Sequence, residues 1–134
     1  MKCVFCGIIK GEIDSFKVWE NKDFIILLDI NPVAKGHIML IPKKHIDYLF
    51  SINNPLYGKI FNKAKEAAEI LKRKTKAARI GLVVEGFAVS HVHVHLVPIN
   101  KPGDLDPSKA KRAPYEELQK MQKEFEKYFK KMKQ

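Results

Sequence analysis

The chain has 134 residues, 46% of them hydrophobic and 30% charged, and a formal net charge of +10. That length fills one core and leaves no room for a second. No stretch approaches the ~20 apolar residues of a membrane span, and the N-terminus lacks the charged, apolar and small-residue blocks of a signal peptide. Two cysteines, Cys3 and Cys6, are too few for a secreted disulfide framework. The chain is therefore read as beginning near Met1 and working in the reducing cytoplasm, with no membrane partner.

In chain order, short alternating or continuous apolar runs predict strands at 16–20, 23–30, 37–43, 80–85 and 90–98. Asn21-Lys22, Asn31-Pro32 and Lys35-Gly36 mark the turns, which suggests an antiparallel meander. After Asn53-Asn54-Pro55 the period changes. Leu56, Ile60, Ala64, Ala67, Ala68 and Leu71 form the stripe of an amphipathic helix, with Asn54 as its cap and Pro55 in the first turn. Residues 100–113 read as a loop. A second helix starts near Pro114, with Tyr115, Leu118, Met121, Phe125, Phe129 and Met132 on one face. Its early Glu116 and Glu117 and late Lys130, Lys131 and Lys133 suit the helix dipole.

The positive excess favours anionic partners: nucleotides, nucleic acid or acidic lipid. Much of it lies in two segments. Lys59 to Arg79 holds eight Lys or Arg against two Glu, and Lys101 to Lys133 holds ten against six acidic residues. Both segments have helical periodicity, so solvated helix faces account for them.

The densest chemistry is S-H-V-H-V-H-L-V-P at 90–98. On a strand, His91, His93 and His95 share one face and Val92, Val94 and Leu96 the other. Two chemistries suit such a row. The histidines can chelate zinc, or one imidazole can attack phosphorus while its neighbours hold phosphate oxygens and protonate the leaving group. Neutral imidazole is plentiful near pH 7, because its ordinary pKa is ~6.5.

The run His91 to Val97 resembles the His-φ-His-φ-His-φ-φ signature of the histidine-triad family, φ being apolar. The upstream segments C-V-F-C-G-I-I-K-G-E-I at 3–13 and L-L-D-I-N-P-V-A-K-G-H-I-M-L-I-P-K-K-H at 27–45 are also similar to that family, in the same order and spacing. The resemblance spans about the first hundred residues. It implies an α+β fold with a five-stranded antiparallel sheet, one long helix and a two-fold dimer. Residues 1–100 would be the histidine-triad domain, and 101–134 a basic extension whose amphipathic helix joins the same compact unit.

By the same resemblance, His93 is the nucleophile that forms a nucleotidyl-histidine intermediate. His95 contacts phosphate and assists the leaving group, His37 is the fourth histidine of the phosphate site, and His91 completes the catalytic row. Asp29 holds the ribose hydroxyls, and a fixed carboxylate can indeed accept from two vicinal hydroxyls. Phe5, Ile8, Ile13 and Leu28 surround the base, although plain core packing explains each of them as well. The implied partner is a purine nucleotide or nucleotide conjugate, and the implied enzyme is a phosphoramidase or dinucleoside polyphosphate hydrolase. The chain departs from the commonest family pattern at Gly86 to Ala88. G-F-A stands where many members have G-Q-S or G-Q-T, so two phosphate donors are absent, and either Phe87 packs beside the base or the pocket prefers a different leaving group.

Cys3 and Cys6 lie too near the N-terminus for a thioredoxin-like redox motif. With His37, His93 and His95 assigned to phosphate, His45 and His91 remain to complete a structural Zn2+ site with the two thiols, and some family members bind zinc at matching positions. Two reduced thiols without metal are the plain alternative. Functionally, the enzyme reading competes with a nucleotide-binding or interaction module of weak catalysis. A third reading is a nucleic-acid-linked deadenylating enzyme that holds DNA or RNA on its basic helices.

Overall fold

The computed structural model describes residues 3–134. The elements run α1 (Val4–Ile9), β1 (Lys17–Glu20), β2 (Phe24–Leu28), β3 (Ile38–Pro42), α2 (Leu56–Thr75), β4 (Arg79–Val83), β5 (Val94–Ile99) and α3 (Tyr115–Phe129). Single 3-10 turns lie at Leu49–Ser51 and Pro107–Lys109. The five strands form one antiparallel-paired sheet in the order β1-β2-β3-β5-β4.

The expected meander holds only for β1 to β3. From there α2, about 30 Å long at the standard rise, crosses beneath the sheet and delivers β4 to the far edge. β5 then returns between β3 and β4. Pro55 takes the N-cap of α2, one position later than expected, and the carboxamide Oδ1 of the preceding Asn54 accepts the Gly58 N–H at 3.1 Å.

Strand period two sorts the side chains. Phe24, Ile26, Leu28, Ile38, Leu40, Val94 and Leu96 face the helices, packing with Ile60, Ala64, Ala67 and Leu71 of α2 and Leu118, Phe125 and Phe129 of α3. The opposite face carries Ile25, Leu27 and Ile41, closed over by Phe5 of α1. Helix α1 was not foreseen, because six residues are too few for a period to show. Its cap is the Cys3 thiol, whose Sγ accepts the Cys6 N–H at 3.4 Å.

The strand expected over 90–98 begins only at Val94. The register sets Leu40 against Val94, so Val92 would fall opposite Pro42, which has no N–H to extend the ladder. Val92 instead donates its N–H to the Ile46 carbonyl at 2.8 Å. His91 and His93 therefore lie on an extended lead-in, and only His95 lies on β5.

Candidate active site and metal cluster

The triad segment runs along the face opposite the helices. His93, 6% exposed, lies against Phe5 with ring centroids 4.9 Å apart and against His95 at 4.8 Å. Its Nδ1–H donates to the backbone carbonyl of His91 at 2.7 Å. That bond fixes the tautomer and leaves the Nε2 lone pair free to attack.

A second chain of bonds sets His37 and His95. The Val33 N–H donates to His37 Nδ1 at 3.0 Å, so the proton of His37 is on Nε2. That Nε2–H donates to His95 Nδ1 at 2.9 Å, which leaves the Nε2–H of His95 as a free donor. Asp29 anchors the preceding turn through Oδ1, which accepts the Asn31 N–H at 2.8 Å. Its Oδ2 lies 3.4 Å from His37 Nε2 and 3.7 Å from His95 Nδ1. Burial lowers the pKa of His37 despite this carboxylate. The pKa of His95 falls to about 4, mainly by burial and further through His93 and His37. At neutral pH the free protein thus presents His37 and His95 uncharged, with the Nε2–H of His95 left as a donor.

At the other end of the segment, fully buried His91 meets the cysteines. Cys3 Sγ lies 3.4 Å and Cys6 Sγ 3.6 Å from His91 Nδ1, while His45 Nδ1 lies 3.3 Å from Cys6 Sγ and 3.1 Å from His91 Nδ1. One donor atom from each of Cys3, Cys6, His45 and His91 lies within 4.8 Å of every other. A tetrahedron with ordinary Zn–N and Zn–S bonds needs ligand atoms about 3.3–3.8 Å apart. His91 Nε2–H donates to the Pro42 carbonyl at 2.8 Å, so its Nδ1 lone pair points into the cluster, the outer-sphere arrangement usual for a ligating imidazole. Burial, then the Cys3 thiol, pushes the Cys6 thiol up from its ordinary pKa, an effect that a cation would reverse. The four residues fit a metal ion.

Of the other expected residues, Phe5 and Ile8 lie on the site face. Ile13 folds back beside Gly7 and is partly exposed. Leu28 faces the helices in the main core, so it is corrected to a core residue. Leu27, one position earlier, shares the site face with Phe5. Counting back by two from Asp29, also on that face, would have found it. Phe87 is 91% exposed and does not pack beside the histidines, because Gly86, at φ 84°, turns the loop outward. His91, expected in the catalytic row as well as the metal site, turns its ring to the metal cluster and reaches His93 only through its carbonyl.

The HIT domain model matches residues 10–101. The chain belongs to the HIT domain family. It is 39% identical over 106 residues to a HIT-like protein of Mycoplasma pneumoniae, covering 75% of this chain and 74% of that one. It is 36% identical over 125 residues to the adenosine 5'-monophosphoramidase of Saccharomyces cerevisiae, covering 91% of this chain and 79% of that one. Among solved structures, a zinc-bound histidine triad family protein of Mycobacterium smegmatis superimposes with a TM-score of 0.82 over 98% of this chain and 96% of that one, at 22% identity. That likeness confirms the fold of this HIT chain.

Proposed function

We propose that this HIT protein is a nucleotide hydrolase or nucleotidyl transferase that opens a phosphorus–nitrogen or phosphoanhydride bond at the α-phosphate of a nucleotide. Its substrates would be nucleoside phosphoramidates, aminoacyl-adenylates or dinucleoside polyphosphates. The observation that carries this reading is the pair of fixed tautomers: a free lone pair on His93 Nε2 beside a free N–H on His95 Nε2. The yeast phosphoramidase similarity agrees with it.

In the first step His93 Nε2 attacks phosphorus, and the bond to the leaving group breaks. An anionic phosphate beside His95 raises its affinity for a proton; the added proton would sit on Nδ1, turned to Asp29 Oδ2 3.7 Å away in place of the His37 bond, and the Nε2 proton passes to the leaving atom. In the second step water attacks phosphorus, the phosphorus–His93 bond breaks, and the proton of water returns to His95. The nucleotide monophosphate leaves and both histidines are restored. Asp29 would accept the ribose hydroxyls, Phe5, Ile8 and Leu27 would flank a purine, and His37 orients His95.

Zn2+ is the ion whose usual ligand set matches Cys3, Cys6, His45 and His91. When bound it supplies a structural cross-link between α1 and the triad segment. Reduced thiols suit a cytoplasmic setting. A homodimer fits the outer edge of β4, where Leu82 is exposed, as is Phe61 of α2, the helix that β4 contacts, since two such edges can pair about a two-fold axis. Among the described residues no helix is long and apolar enough to cross a membrane.

The test is AMP release from adenosine 5'-phosphoramidate and from a dinucleoside polyphosphate, with radiolabelled substrate used to trap an acid-labile nucleotidyl-protein. Release and trapping by the wild type but not by His93→Ala supports the reading. Equal release by both proteins overturns it.

A further inference from the structure

Two adjoining cavities lie around the start of α2, and no histidine lines either of them. The first, of about 490 Å³, is walled by Lys22, Lys43, Lys44 and Lys59 and by the loop between β3 and α2. The second, of about 570 Å³, shares Lys22 and Lys59 with the first and adds Lys63. The side-chain carboxylates that line them, Asp23 and Glu66, are already held by Lys59 at 3.6 Å and by Lys63 at 3.0 Å. Lys43 is held 2.9 Å from Glu20. Lys22 and Lys44 are exposed and pair with no carboxylate among the described residues. The depression therefore carries uncompensated positive charge.

The loop that walls the first cavity also carries an aromatic pair left in water. Tyr48 is 61% and Phe50 67% exposed, with ring centroids 5.6 Å apart. The outward turn at Gly86 comes to the same end of the molecule, since a Cβ on Gly86 would lie 3.7 Å from the Asp47 carbonyl oxygen. Exposed Phe87 thus joins this end. Single exposed apolar side chains are ordinary, but large ones grouped beside a basic concavity mark a surface that meets a partner.

Positive charge alone would suit any polyanion. The aromatic faces narrow the choice, because every nucleobase has a π-face to stack on them and an acidic peptide has none. An anionic bilayer is flat and would bridge the mouth of a concave site, whereas an extended chain enters it. Bases are free to stack on side chains in a single strand, and in a duplex they are not. Ser51 and Asn53 add a hydroxyl and an amide to the wall, partners for the 2'-hydroxyl that DNA lacks.

We propose that this lysine-lined depression and the Tyr48–Phe50 pair form a docking surface for single-stranded RNA, with phosphates on Lys22, Lys44 and Lys59 and bases stacked on the aromatic rings. It does not depend on the chemistry at His93.

The test is fluorescence anisotropy with a labelled oligouridylate of about eight nucleotides, a length such grooves cover, with AMP present to fill the nucleotide site. The wild type should bind with an affinity that falls steeply with salt. Lys22→Ala combined with Lys44→Ala should lower the slope of log affinity against log salt by about 1.4, at about 0.7 for each phosphate contact. Tyr48→Ala and Phe50→Ala should each weaken binding about tenfold at an unchanged slope. All these side chains are exposed, so each variant should keep the wild-type Tm and its AMP release from adenosine 5'-phosphoramidate. No binding by the wild type would overturn the proposal. So would an equal loss on Lys123→Ala combined with Lys127→Ala of α3, which would show diffuse charge instead of a site. Displacement of the RNA by polyglutamate at equal charge would assign the surface to acidic peptides. Equal or tighter binding of oligodeoxyuridylate would remove RNA as the occupant, and capture by phosphatidylserine vesicles that the same variants abolish would give the surface to a membrane.

Discussion

His91 and His95 are four residues apart in one motif and on one face of the chain, yet they meet opposite surroundings. Around His91 the fold brings two thiols, a second imidazole and the Pro42 carbonyl, which together hold a lone pair toward a space that a cation would fit. Around His95 it brings Asp29 and His37, which together hold an N–H toward solvent. The difference comes from what β3 and α1 deliver. Pro42 and His45 lie at and just beyond the end of β3, and His37 lies just before its start, so the antiparallel register presents one end of β3 to each histidine. His93 stands between the two, held by the carbonyl of one and packed on the ring of the other.

The separation of roles is open to direct attack. Replacing the proton donor should give the largest effect: His95→Asn is expected to lower kcat for AMP release by about 10²–10⁴-fold, the usual contribution of a general acid, with little change in Tm. A comparable loss of thermal stability would show that the two ends are not separate. The metal end should behave inversely. Chelation, or His45→Ala, is expected to lower Tm by more than about 5 °C, a shift of about 1–2 kcal/mol in a chain of this size, while metal analysis falls to background. A preparation that loses metal without losing Tm would remove the structural role.

Acid offers a finer test. With the folded pKa of His95 at about 4 and its ordinary value at 6.5, the unfolded chain binds more protons between those values. Stability contributed by neutral His95 is therefore full above pH 6.5 and lost as pH falls toward 4. His37 and His91 shift in the same direction. Urea unfolding of His95→Asn should show a shallower pH slope over that window than the wild type. Parallel slopes would mean that burial at this end does not disfavour the charged ring. The smallest effect is expected at the base pocket, where Leu27→Ala should raise KM for adenosine phosphoramidate by about tenfold. Leu28→Ala should leave KM alone and cost about 2–5 kcal/mol of stability instead.

The sequence made the strands, α2 and α3 legible because each is long enough for its period to repeat. It made the triad legible because alternation places like residues on one face. What it hid was set by partners distant along the chain. The late start of β5 depends on Pro42, the face of Leu27 against Leu28 on where β2 starts, and the short α1 on a thiol cap. The metal set was readable from two cysteines and two leftover histidines, and the structure brings all four together. Phe87 looked like a pocket residue because of its neighbours in sequence, but a left-handed Gly86 turns it away. Residues 104–110 carried no signal beyond loop composition, since the seat of Leu105 on β4 depends on the missing side chain of Gly81.

The last helix has a consequence for how the chain is made. Leu118, Phe125 and Phe129 sit in the same core as β2, β3 and α2, with Phe129 and Met132 almost fully enclosed, although the family match stops at residue 101. On the ribosome, the sheet and both faces of its histidine segment emerge before the helix that seals them. Until α3 docks, the nascent chain carries an open apolar trough under β1 and α2, the kind of surface that chaperones hold and proteases sample. Messages cut short after the triad would therefore yield products with every histidine of the chain in place and a short lifetime in the cell.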